Sequence, residues 1–194
     1  MPEDVFSSWK RLGQTLPAQR SKWQNWHCLV SLVRPMGNAQ IDMLCANHSG
    51  GAITTYSGVE SGNNFAPVLL QRTATDQTTT CSTRYNRKTS CAFTTNNGGD
   101  SVTAAKIKED GSIDILAEAG ATLDAPIDIS LSKDQRFLYA LATNHNASGQ
   151  PTIYVYNAES CSCAISEIQT ISNGLPAEGG GDFNGVVGLA IYQE

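Results

Sequence analysis

FLYALATNHNASGQPTIYVYNA, residues 137–158, contains two strand-like runs separated by a polar loop. In "RFLYALA" and "TIYVYNA" bulky apolar residues alternate with small or polar ones, the period of a pleated strand with one buried face. Between them "TNHNASGQP" gathers the residues that make turns. The same layout occurs in "CAFTTNNGGDSVTAAKI" (91–107) and in "MLCANHSGGAITTY" (43–56). The loop asparagines of the three copies are Asn47, Asn96 and Asn144, spaced 49 and then 48 residues apart. A near-constant period of this size marks solenoids, propellers or arrays.

Each copy resolves into four short runs bounded by turn residues. The third gives "PIDISLS", "RFLYALA", "TIYVYNA" and "AISEIQTIS"; the second gives "TTTCSTRY", "TSCAFTT", "SVTAAKI" and "SIDILAE". The first gives "HCLVSLV", "IDMLCAN", "AITTYSG" and "PVLLQRT". A helical repeat would place apolar residues at i, i+3, i+4 and i+7 over a dozen positions, and no copy does so. The expected fold is therefore all-β: a partial β-propeller of three four-stranded blades, at about 27–72, 78–119 and 125–172. A Gly-rich connection, "GLPAEGGGDFN", leads to "GVVGLAIY", a lone closing strand at 185–192. Residues 1–26 form a separate head, either disordered or a short amphipathic helix on Val5, Phe6, Trp9, Leu12 and Leu16.

Composition narrows the function. Charged residues make up 16% of the 194 and the net charge is -5, so no basic face is expected for a nucleic acid. Arg84, Arg87 and Lys88 in "RYNRK" read as a solvated turn. No apolar run is long enough to span a membrane, and the first 26 residues lack the apolar core of a signal peptide, which points to the cytoplasm. Six cysteines and the glycosylation acceptors "NHS" at Asn47 and "NAS" at Asn146 point outside the cell instead. The cysteines lack the paired C-x2-C spacing of a zinc site, so no metal is expected, and no cofactor motif occurs. Buried free thiols are the first expectation, and a Cys81–Cys91 disulfide across a turn is the alternative.

From "CAFTTNNGGDSVTAAKIKEDGSIDIL" through "APIDISLSKDQRFLYAL" to "GLPAEGGGDFNGVVGLAIY", the chain resembles the lactonase family of seven-bladed β-propellers. That family includes the propeller-type 6-phosphogluconolactonases and the carboxymuconate-lactonizing enzymes. The likeness runs from about residue 89 to 192 and fits the C-terminal part of such a propeller. It implies lactone ring opening at a site rich in Arg, His and Glu, and a structural role for Asp134 in the turn "SKDQR". A chain with three blades would then be weak or inactive, or a truncated product. An open arc of blades also predicts self-association through uncovered apolar faces.

In a propeller, the loops leading into the inner strands share a face with those joining second and third strands. That face collects His48, Asn96, Asn97, Asp100, Asp124, Asn144, His145 and Asp182, with Asp128 beginning an inner strand beside it. Lactone hydrolysis needs a base to activate water and a donor for the oxyanion. His145 is the expected base, with Asp124 and Asp128 as its catalytic partners. His48, Asn96, Asn97, Asp100, Asn144 and Asp182 are the expected binding residues. The face offers no Arg or Lys, which favours a neutral lactone over a phosphorylated one. A non-catalytic module that binds a protein or glycan through this face is the alternative.

Overall fold

Each alternating run forms a strand and pairs antiparallel with its sequence neighbour. The computed structural model describes residues 28–32, 43–47, 51–61, 64–119, 123–143, 150–175 and 189. Its strands are β1 (Cys28–Leu32), β2 (Met43–Asn47), β3 (Ala52–Ser61), β4 (Asn64–Ala74), β5 (Thr80–Asn86) and β6 (Cys91–Asn96). They continue with β7 (Ser101–Ile107), β8 (Ile113–Ala119), β9 (Pro126–Leu131), β10 (Phe137–Ala142), β11 (Thr152–Asn157) and β12 (Ser166–Ile171). Three four-stranded sheets result, β1–β4, β5–β8 and β9–β12, each in consecutive order. Their first strands lie side by side, β1 next to β5 and β5 next to β9. This is an all-β partial β-propeller of three blades. The head at 1–26 and the closing strand at 185–192, Leu189 excepted, lie outside the described residues.

The repeat reaches down to single backbone angles. Gly51 and Asp100, each just before a third strand, have φ of 47° and 49°; Thr79 and Ala125, each just before an inner strand, have 55° and 52°. Left-handed residues at matching points let each connection reverse direction in a few residues. The bond that holds each connection to the blade before it repeats as well. Thr75 N–H donates to Gly51 O at 2.7 Å, and its counterpart Leu123 N–H donates to Asp100 O at 2.9 Å.

Packing follows the strand alternation. In β6 all six residues are buried, because this strand lies in the middle blade and is covered on both faces. Ala92 joins Leu44, Ile53, Ala105, Ile107 and Ile113 between blades 1 and 2. Cys91 and Phe93 join Val102, Ile129, Leu138, Ala140 and Tyr156 between blades 2 and 3. Three buried threonines donate to backbone carbonyls, Thr94 to Ser82 O, Thr83 to Phe93 O and Thr55 to Gly111 O in the next blade. That satisfaction is what lets so polar a sequence fill an interior. Asp134 is structural, accepting from Ser132 Oγ at 2.6 Å and from Arg136 N–H at 3.2 Å. The Ser132 hydroxyl, chiefly, holds its carboxyl below the usual carboxylate value.

The structure corrects two expectations. The β3–β4 hairpin continues from Gly58 and Pro67, which sit opposite each other, out to Ser61 and Asn64. Pro67 falls in β4, the edge strand of its sheet, where a residue without an N–H is tolerated. The Cys81–Cys91 bridge is not formed: Cys91 is disulfide-bonded to Cys163, 72 residues away, while Cys81 is a free, partly buried thiol, so the expectation of buried free thiols fails at Cys91 and Cys163 and holds at Cys81. Cys91 is opposite Asn86 in the β5–β6 register, and a bulge between Thr80 and Thr83 removes Cys81 from the ladder. The two are at opposite ends of the paired strands and cannot be bridged.

Candidate functional site

The three inner strands read CLVSL, TCSTRYN and PIDISL, and their charged residues are Arg84 on β5 and Asp128 on β9. The two face each other, with Arg84 Nη2 3.7 Å from Asp128 Oδ1 and side chains 35% and 18% exposed. Ser82, two residues before Arg84, donates its hydroxyl to the same carboxylate oxygen at 2.7 Å. Ile129 N–H reaches Oδ1 at 2.8 Å, and Leu189 N–H reaches Oδ2 at 2.8 Å. Arg84 Nη1 donates to Thr83 O at 2.8 Å and to Ser82 Oγ at 3.3 Å. Asp128 therefore ties β5, β9 and the chain at Leu189 together around a half-buried ion pair.

Asp128, expected beside the loop face, thus has a cation against it. "RYNRK" divides at the end of β5: Arg87 and Lys88 are exposed in the turn, whereas Arg84 belongs to the strand and points toward blade 3. Sequence reasoning missed it by treating five neighbouring residues as one cluster.

Asn96 has no exposure, and its amide is consumed by its own sheet. Nδ2 donates to Thr103 Oγ1 at 2.8 Å and Ser101 Oγ at 3.1 Å, while Oδ1 accepts from Thr80 Oγ1 at 3.2 Å. It clamps the ends of β5, β6 and β7. Asp100 Oδ1 accepts from Ala125 N–H at 2.9 Å and so holds the loop that leads into β9. Asn97 opens a short 3-10 turn, with its N–H on Thr79 O at 2.9 Å. Beside it the Cys81 thiol is pushed up by burial, against a downward pull from the Asn97 backbone. Asp124 is half-exposed, and its charge acts on Tyr154, whose phenol is raised mainly by burial and then by Glu167 and Asp124. His48, Asn144, His145 and Asp182 lie outside the described residues. Among the described residues, no three His, Cys, Asp or Glu side chains are grouped to hold a metal ion.

Asn86 is a residue that the sequence did not announce. Fully buried at the end of β5, it donates Nδ2 to Gln135 O at 2.8 Å and to Ala158 O at 3.0 Å. Its Oδ1 accepts from Lys88 N–H at 3.0 Å and Thr89 N–H at 3.3 Å. All four amide hydrogen bonds are thus made, two within the β5–β6 turn and two across to blade 3.

This arrangement of blades is shared with solved propeller structures, while neither protein-family models nor curated protein sequences give any match. A candidate 6-phosphogluconolactonase from Bacteroides fragilis is similar at TM-score 0.61 and 12% identity, over 76% of this chain and 40% of that one. A periplasmic gluconolactonase from Pseudomonas aeruginosa gives 0.57 and 11%, over 77% and 40%. A protein of unknown function from Desulfotomaculum acetoxidans gives 0.60 and 18%, over 75% and 42%. The fold is the propeller fold of these structures. The chain spans about two fifths of the length of these structures.

Proposed function

We propose that these blades belong to a hydrolase that opens an uncharged, carbohydrate-type lactone with an activated water. The observation that carries the proposal is the Arg84–Asp128 pair on adjoining inner strands, in a fold shared with a gluconolactonase. Water attack on a lactone carbonyl needs a base and an oxyanion donor. In this proposal His145 is the base, oriented by Asp124. Asp128, held by Ser82, Ile129 and Leu189, positions the inner-strand wall and Arg84. His48, Asn97, Asn144 and Asp182 are assigned to the hydroxyl groups of the substrate.

Electrostatics selects the substrate. Arg84 is the cation of the described inner strands, and its charge is already compensated by Asp128. A phosphate dianion would find no unpaired guanidinium there and would be repelled by the carboxylate. We expect kcat/KM for glucono-δ-lactone to exceed that for 6-phosphogluconolactone by about tenfold or more, a difference of one compensated charge contact. Asp128→Asn should narrow that ratio by releasing Arg84. A pH-indicator assay on both lactones measures this. A preference for the phosphorylated lactone overturns the assignment, and hydrolysis of neither lactone overturns the enzyme in favour of a binding module.

A further inference from the structure

The seam between blades 2 and 3 holds a disulfide with both sulfurs inside and a free thiol outside. Cys91, first in β6, is bonded to Cys163 in the turn between β11 and β12, and these residues are 0% and 1% exposed. Cys161, two residues before Cys163, is free and exposed. Two contacts set its backbone beside Cys91. The carbonyl oxygen of Ser160, whose carbon is bonded to Cys161 N, lies 3.8 Å from Cys91 Sγ. A disulfide sulfur has no proton to donate, so this contact records proximity alone. Lys106, directly opposite Cys91 in the β6–β7 register, donates its ammonium to Cys161 O at 3.3 Å. The turn is tight, closed by Cys163 N–H on Ser160 O at 2.9 Å, with Cys163 at φ 61°.

We propose that Cys161 is an exchange thiol for this seam. Its thiolate attacks Cys91 Sγ, the Cys91–Cys161 bond forms and the Cys91–Cys163 bond breaks. Cys163 leaves as a thiolate and takes up the proton that Cys161 gave up. The number of disulfides is unchanged, so the step needs no oxidant or reductant. A neighbouring thiol on the same turn has a large advantage over one in solution, which burial keeps from both bridged sulfurs. After exchange the bridge includes Cys161, an exposed residue, and the blade seam thereby becomes open to low-molecular-weight thiols.

The experiment uses the full chain under non-reducing conditions. The protein is held at about pH 8, where thiol–disulfide exchange is ordinarily run, quenched with N-ethylmaleimide and digested, and label is read on the peptide carrying both Cys161 and Cys163. Label on each of these positions in separate molecules is expected, in proportions set by the two bridges. Label confined to Cys161 overturns the exchange. In Cys161→Ser, an exposed substitution, reduction of the bridge by glutathione should slow by about tenfold or more, because the buried sulfurs lose their internal nucleophile. A wild-type reduction rate in that variant overturns the role of Cys161, and the melting temperature of the variant checks that the fold is kept.

Discussion

Asn86→Ala is expected to lower the unfolding free energy by about 3 kcal/mol, the scale for breaking a buried hydrogen-bond network. The substitution removes four hydrogen bonds at once and leaves Gln135 O and Ala158 O inside the seam without their donor. The N–H groups of Lys88 and Thr89 lose their acceptor at the same time. Asn86→Asp is expected to cost as much although it keeps the shape, because a carboxylate oxygen would face those two carbonyls. Urea unfolding of the three proteins measures this. A loss under about 1 kcal/mol in the alanine variant, the worth of a single ordinary hydrogen bond, would show that the amide does not hold the blades together.

The bridge beside it carries the second large effect. Cys91→Ala removes the one sulfur that both Cys163 and Cys161 could use, so no alternative bridge can compensate. A closed loop of 72 residues corresponds to about 4 kcal/mol in the chain-entropy account. Unfolding with and without dithiothreitol should show that difference in the wild type and a smaller one in the variant. Equal wild-type stability in both conditions would remove the bridge from the account. Asn86 and Cys91 sit opposite each other in the β5–β6 register, so their effects should not add.

The blades were legible because their period is written in turn residues. Asn47 and Asn96 end the second strands of their blades, Asn144 stands one period further along the sequence, and the left-handed residues Gly51 and Asp100 follow at matching places. What could not be read is which neighbour a side chain meets. Cys91 and Cys163 are 72 residues apart, and no spacing rule links them. Asn86 sits at the end of an inner strand, where an asparagine reads equally well as a turn residue. An asparagine in a loop looks available to a ligand, whereas the sheet takes the whole amide of Asn96. Arg84 and Asp128 were each visible in the sequence. Their pairing needed the knowledge that β5 and β9 are adjacent inner strands, which only the stacking of blades supplies.

The proposed lactone hydrolysis with His145 as the base is tested most directly by kcat/KM for glucono-δ-lactone in the wild type and in His145→Ala, corrected for spontaneous opening. Turnover above background is expected in the wild type and a fall of about 100-fold in the variant, the usual scale for losing a general base. Equal rates in the two proteins, or no turnover by the wild type, would contradict it.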